Sequence, residues 1–426
     1  MPATEATTSA AEHWDAIIIG GGPAGSTAAS TLAMAGRRVL VLEKAKFPRF
    51  HIGESLLPYN RKIFDDLGVW EKIAGAGFTK KRAAQFVMGN GSRANRLDFS
   101  KGSFTEYPEA VQVERAKFDD ILLHHSREKG AAVREESTVI EHRVEADRVV
   151  IKYRAVDGSE HEVTAPYLID ASGLTNFTAN RESLREYYPG HKKIAIFSHF
   201  SGIDMPTGEE EGDILIVRRE KSWCWLIPLA PDKTSVGLVI DAGDFKALGK
   251  KPQEVFDEAM ADTPAISKRF GNARISEEMH VVADFSYKNE TLVSPRVIRV
   301  GDSSGFIDPM FSSGVLLAMT SGQQGARVIH EALETRKPLT AGMKRYEKDN
   351  RKRIAIYWEF IDNFYKFHFA QIFFQPYNRW GLVCSINAVL AGRTTLSFAV
   401  WWRLRVFFFL AWLNKHIPVA KRIKVS

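Results

Sequence analysis

The stretch from Trp14 to Glu43 constrains the fold of this chain more than any other. An apolar run, Trp14 to Ile19, ends in Gly20-Gly21-Gly22-Pro23-Ala24-Gly25, and Ser26 to Ala35 follows with Ala and Leu at helical spacing. Gly36 breaks that pattern, Arg38 to Leu42 reads as a second strand, and Glu43 closes it 23 residues after Gly20. Strand, G-x-G-x-x-G turn, helix, strand and acid make up a dinucleotide-binding unit. Gly20 permits the tight turn, Gly22 lets a pyrophosphate approach the backbone, and Gly25 lets the helix pack against the strands. Pro23 and Ala24 complete the turn, and Glu43 suits ribose hydroxyls.

A second loop with chemical potential lies far downstream. Val297 to Val300 reads as a strand, Gly301-Asp302 as a turn, and Ser312-Ser313-Gly314 as the approach to an apolar helix, Val315 to Met319. Such a helix start exposes backbone N–H groups to an anion or a polar cofactor edge. Gly-Asp turns after strands are as often purely structural. Between the two loops, Lys44 to Pro58 has loop composition, with Arg49 and Glu54 either paired or solvated. His51 reads as a loop or packing residue, because no His/Cys spacing in the chain suits a metal; no metal site is expected. Lys80-Lys81-Arg82 has the look of a solvated edge. Arg115, at the start of an amphipathic helix, either reaches a phosphate or pairs locally. Trp223, Trp225 and Ile227 share one face of a strand at period two, which by default is a buried aromatic stripe.

Two cysteines, Cys224 and Cys384, cannot build a disulfide framework, and the N-terminus lacks the apolar core of a secretory signal, so a cytoplasmic location is expected. The formal charge of +7 is uneven: residues 341–426 hold 15 Lys and Arg against 4 Asp and Glu. The same segment has 19 of the 47 Phe, Tyr and Trp. Its longest apolar run, Val406 to Leu413, is too short to span a bilayer. It suits either packing over a cavity or lying on an anionic membrane surface. No nucleic-acid partner is expected.

Taken together these residues resemble the flavin-dependent halogenases, in their phenol and pyrrole branch, within the FAD oxidoreductases built like p-hydroxybenzoate hydroxylase and geranylgeranyl reductase. Gly20 to Gly25 with Glu43 is similar to the family's ADP-binding turn, Gly301-Asp302 to its second flavin motif, and Arg115 to an arginine beside FAD. Trp223-Cys224-Trp225-Leu226-Ile227-Pro228 matches the W-x-W-x-I-P signature that separates halogenases from monooxygenases. Phe306, Pro309, Ser312 and Gly314 match F-x-x-P-x-x-S-x-G. Gly77, Phe78, Lys81, Ala84 and Phe86 resemble G-F-x-x-K-x-G-A-x-F, with Ala83 where that pattern has Gly. Lys80 and Lys81 leave the register open by one residue, and the spacing favours Lys81.

The resemblance implies an α/β fold: a Rossmann-like FAD-binding domain (14–58, 110–174 and 290–340) interleaved with a β-sheet substrate domain (59–109 and 175–289). A disordered tail (1–13) and a C-terminal helical segment (341–426) flank them. It implies FAD held by Gly20, Gly22, Pro23, Ala24, Gly25, Glu43, Arg49, Arg115, Gly301, Asp302 and Gly314. FADH₂ would come from a separate flavin reductase, and O₂ would form a C4a-hydroperoxide. Chloride or bromide at the backbone of Ser313 and Gly314 would turn that into hypohalous acid. Lys81, Trp223, Trp225 and Ser312 are the implied catalytic set, with the Lys80 and Arg82 charges lowering the lysine's pKa. The substrate would be an electron-rich aryl compound, phenolic or pyrrolic, free or carried by a protein. The features shared by the whole FAD group equally suit a monooxygenase or a prenyl-type reductase acting on a lipophilic substrate.

Overall fold

The computed structural model describes residues 12–283, 286–375 and 379–423. Most of the expected tail, 1–11, lies outside them; Glu12 pairs with Arg134 and His13 bridges to Thr164. The strands Ala16–Ile19, Val39–Leu42, Ala132–Arg134, Tyr167–Asp170 and Val297–Arg299 run parallel in one sheet, with Val293–Ser294 as an antiparallel edge. Parallel strands covered on both faces must be apolar throughout. Alternation accordingly sorts one apolar side chain from the next, and not apolar from polar. Ala16, Ile18, Val39, Val41, Tyr167 and Ile169 pack under the helices Pro23–Met34 and Gly314–Thr335. Ile17, Ile19, Leu40, Leu42 and Leu168 pack against a three-stranded antiparallel layer, Thr138–Val144, Val149–Arg154 and Glu160–Ala165.

A second, larger sheet holds Lys193–Ser201, Lys233–Asp241, Ser222–Ala230, Ile214–Arg218, Ala83–Met88 and Ala94–Asp98 side by side. Its two faces also divide at period two. Cys224, Leu226, Val236 and Leu238 face the helix Pro252–Ala261 through Val255, Phe256 and Met260. Trp223, Trp225, Ile227, Phe86 and Ile216 face the other way, toward the C-terminal helices Ala341–Phe364 and Phe367–Phe373. Phe86 meets Phe364 and Phe373 with ring centroids 6.1 and 5.0 Å apart. The aromatic-rich C-terminus thus closes this face of the sheet, and none of its residues lines either cavity described below. Among the described residues no helix is long and apolar enough to cross a membrane, and no cluster could hold a metal ion.

Candidate active site

A cavity of about 520 Å³ opens between the two sheets, at the carboxyl ends of the parallel strands, where open α/β sheets bind ligands. The helix Pro23–Met34 points its N-terminus into it; Gly22, at the N-cap, makes no side-chain cap, so first-turn N–H groups remain available to a ligand. The glycines are imposed by contact. A Cβ on Gly25 would lie 1.9 Å from the Gly20 carbonyl oxygen, and one on Gly20, at φ +97°, would lie 2.5 Å from that of Ala171. Glu43 accepts from Gly21 N at 2.6 Å and Ala45 N at 2.8 Å, which fixes its carboxylate at the cavity wall.

The second loop meets the first across a close helix crossing. A Cβ on Gly322 would stand 2.3 Å from the Ala24 carbonyl oxygen, and one on Gly301 would stand 2.8 Å from the Ala24 Cβ. That approach brings the start of Gly314–Thr335 beside the start of Pro23–Met34, so two helix N-termini serve one cavity. Gly314 opens onto it with nothing within 4 Å of its Cβ position, and Ser312, in a left-handed turn at φ +56°, lines it too. Ser313 is buried and absent from the lining. Asp302 lines the cavity, and burial raises its carboxyl pKa to about 6 against the pull of Arg115.

Arg115 grips Asp119 with two bonds, 2.7 and 2.9 Å, and donates to the Ile52 carbonyl at 2.6 Å while lining the cavity. Of the alternatives read from sequence the local pairing is present, and it leaves Arg115 at the cavity wall. Arg49 pairs with Asp119 at 3.1 Å. The Arg49–Glu54 pair considered from sequence does not form, because Glu54 turns inward to His199 at 2.6 Å.

Trp223, Trp225 and Ile227 form one wall. Trp225 lies across Gly237 on the neighbouring strand, where a Cβ would meet its ring at 2.2 Å, and its Nε1 donates to Ser235 Oγ at 3.1 Å. Trp223 Nε1 donates to Tyr365 Oη at 3.1 Å, and Tyr365 donates to Asp308 at 2.5 Å. Asp308 is buried, which raises its pKa. The sequence reading missed Asp308, Tyr365 and His199: Asp308 sits inside the F-x-x-P motif, while Tyr365 and His199 come from segments with no local signal.

Lys81 stands apart from the rest of the set. In the strand Thr79–Lys81, Lys80 is exposed beside Glu109 and lines the smaller of two cavities, while Lys81 is fully buried. Its Nζ donates to Ser55 Oγ and to the Leu56 carbonyl, both at 2.9 Å, and lies 5.5 Å from the Phe99 ring centre. Burial lowers its pKa to about 7, with Asp213 opposing. The expected cause is therefore corrected: Lys80 and Arg82 alternate outward to water, and desolvation depresses the pKa. Ser55 lines the large cavity, and Leu56 lines a second one of about 290 Å³ walled by Phe64, Trp70, Phe78 and Tyr107. The lysine is tethered to the segment that bounds both.

An FAD-binding-domain family model matches residues 13–362. The chain is 34% identical to a 1H-pyrrole-2-carbonyl-[peptidyl-carrier protein] brominase of Pseudoalteromonas luteoviolacea over 76% of this chain and 79% of that one. It is 30% identical to the corresponding chlorinase of Pseudomonas fluorescens, over 83% and 84%. It belongs to the flavin-dependent halogenase family. Among solved structures, the flavin-dependent brominase Bmp2 superposes with a TM-score of 0.83 at 28% identity, covering 93% of this chain and 99% of that one. A flavoprotein/dehydrogenase of Cytophaga hutchinsonii superposes at 0.88 with 27% identity, covering 95% and 99%. The cofactor of this family is FAD, and the uncapped N-terminus at Gly22, the Glu43 carboxylate and the open Gly314 fit its pyrophosphate, ribose and flavin edges.

Proposed function

We propose that this halogenase-family protein oxidises chloride or bromide with reduced FAD and O₂ and transfers the halogen to an electron-rich aryl substrate. Bound FADH₂ would supply two electrons, so that FADH₂, O₂, one halide and one proton give FAD, hypohalous acid and water. The aryl C–H then becomes C–X with release of a second water. The observation that carries this reading is the fully buried Lys81 ammonium, which lines neither cavity itself but is bonded to Ser55 of the large one and Leu56 of the aromatic one. With a pKa near 7 a fraction of it is a neutral amine, able to hold hypohalous acid or take its halogen and pass it on. Trp223 and Trp225 keep bulky substrate off the flavin cavity, Ser312 shapes the loop, and the Gly314 N–H at its helix start suits a halide.

The aromatic cavity beside Leu56 has room for a pyrrole or phenol ring, and the names of two relatives support delivery on a carrier protein. FADH₂ would come from a separate reductase. The C-terminal helix Phe398–Leu413 further supports peripheral contact with an anionic bilayer. Val400, Leu404, Phe407 and Ala411 bury one side, while Phe398, Trp401, Phe409 and Trp412 are exposed on the other. Beyond Asp362 the sequence has nine Lys and Arg and no Asp or Glu, which suits anionic headgroups.

The decisive experiment supplies a flavin reductase, NADH, halide and a panel of pyrroles and phenols, free and carrier-bound. Halogenated product is expected from the wild type and none from Lys81→Ala with FAD affinity unchanged. Unchanged product from that variant removes Lys81 from the mechanism. Halide-independent oxygenation, or saturation of an isoprenoid, assigns the chain to the other chemistry.

A further inference from the structure

Glu54, His199 and Glu277 form a line of titratable groups that the scheme above does not use. Glu54 is 1% exposed and lines the large cavity; one carboxylate oxygen lies 2.6 Å from His199 Nε2, and the other is buried without a protein partner. The opposite ring nitrogen, Nδ1, is 2.9 Å from Glu277 Oε1 but not aligned with it as a hydrogen bond. Glu277 is 35% exposed, and its carboxylate is held by Lys233 at 3.0 Å, which also pairs with Glu114 at 2.7 Å. Phe50 lies edge-on to His199 and stacks on His280 at 4.3 Å, closing the line from the side. Both separations fall within the distance range for proton transfer; the Glu54 link is already a hydrogen bond, and the Glu277 carboxylate has to turn to align with Nδ1.

We propose that Glu54, His199 and Glu277 conduct a proton from bulk water to the flavin cavity. This rests on the halogenase reading, in which every turnover consumes one proton at the flavin cavity. The imidazolium of His199 gives its Nε2 proton to Glu54, which leaves the neutral ring protonated at Nδ1; the ring then reorients so that its vacant Nε2 takes the next proton from the Glu277 side, and swings back. Glu54, turned about its terminal bond, presents the proton to the cavity, and each group returns to its starting state. Burial disfavours the His199 imidazolium, but the two carboxylates outweigh it and raise its pKa. The ring thus stays loaded above the usual histidine range. The other charged groups facing this line are Lys233, Glu114 and Arg115, and after the cost of burial His199 and Lys233 together lower the Glu277 pKa.

Two measurements test this. In the flavin-free protein, ¹⁵N-histidine NMR is expected to show His199 titrating above pH 6.5, with its midpoint falling in Glu54→Gln; a His199 already neutral at pH 6.5 overturns the conduit. In the FAD-loaded protein, hypohalite released to a chemical scavenger, without aryl substrate, is followed in single turnovers from pH 6 to 9. His199→Gln and Glu277→Gln are each expected to slow it about tenfold at pH 8 and little at pH 6, where hydronium substitutes. Glu277 lies at the exposed end, so its variant tests the route without disturbing the cavity. If both variants keep the wild-type profile within twofold, the conduit is overturned. If the wild type makes no hypohalite, the halogenase reading fails, and the NMR titration still decides the state of His199.

Discussion

At the scale of single residues, Lys81 decides most. An ammonium group with no exposed surface carries a solvation cost that its two oxygen partners only partly offset. The unfolded chain holds this lysine at its ordinary pKa, and the fold lowers it to about 7. Between these values the unfolded state binds more protons, so stability rises with pH across that window and is lowest below it. Lys81→Met is expected to be about 1–3 kcal/mol more stable than the wild type at pH 6. The advantage shrinks toward pH 10, as urea midpoints at the two pH values would show. Activity has the complementary sign. If the neutral amine takes the halogen, the product-forming rate climbs with one-proton dependence through about pH 7, and a flat profile in aryl halogenation excludes that role.

At the scale of elements, the site exists because two helices cross closely enough to place both N-termini at one cavity. Gly322 sets that distance, since a Cβ there would press on the Ala24 carbonyl at 2.3 Å. Gly322→Ala is expected to cost about 1–3 kcal/mol of stability by overpacking and to weaken FAD binding at least tenfold. Thermal unfolding with and without FAD, and a flavin fluorescence titration, would check both. Gly314→Ala meets nothing within 4 Å and should leave unfolding unchanged, which separates packing from ligand approach. The first of these elements was legible from spacing alone, because glycines at fixed offsets between two strands admit few other structures. The crossing was not: Gly322 looks like any glycine in a helix until Ala24 lies across it.

At the scale of the whole molecule, the C-terminal helices give the large sheet its cover and leave one aromatic face outward. The helix Phe398–Leu413 is apolar apart from Arg403 and Arg405 and leaves large aromatic side chains exposed, which a wet face ordinarily lacks. Vesicles containing anionic lipid should bind the protein at low salt, with binding falling sharply toward 1 M as screening shortens. Trp401→Ser with Trp412→Ser should reduce it at least tenfold. Equal binding to neutral vesicles removes the electrostatic part of the argument, and a concentration-dependent dimer by sedimentation would give the face to a second copy.

The sequence by itself determined the dinucleotide unit, the α/β class and the two-faced W-x-W strand, because each is written in short-range spacing: glycines at fixed offsets, or alternation at period two. The motif it resembles narrowed the lysine to two neighbours, and strand alternation is what makes only one of them inward. Tertiary structure alone decided which groups meet. Tyr365 reaches Asp308 across 57 positions, and Glu54 reaches His199 across 145; Arg49, a nearer candidate for Glu54, turns to Asp119. No local pattern encodes such pairs, since each is fixed by how sheets and helices stack. The pKa of Lys81 belongs to the same class, because desolvation is a property of everything packed around a group and not of its neighbours in the chain.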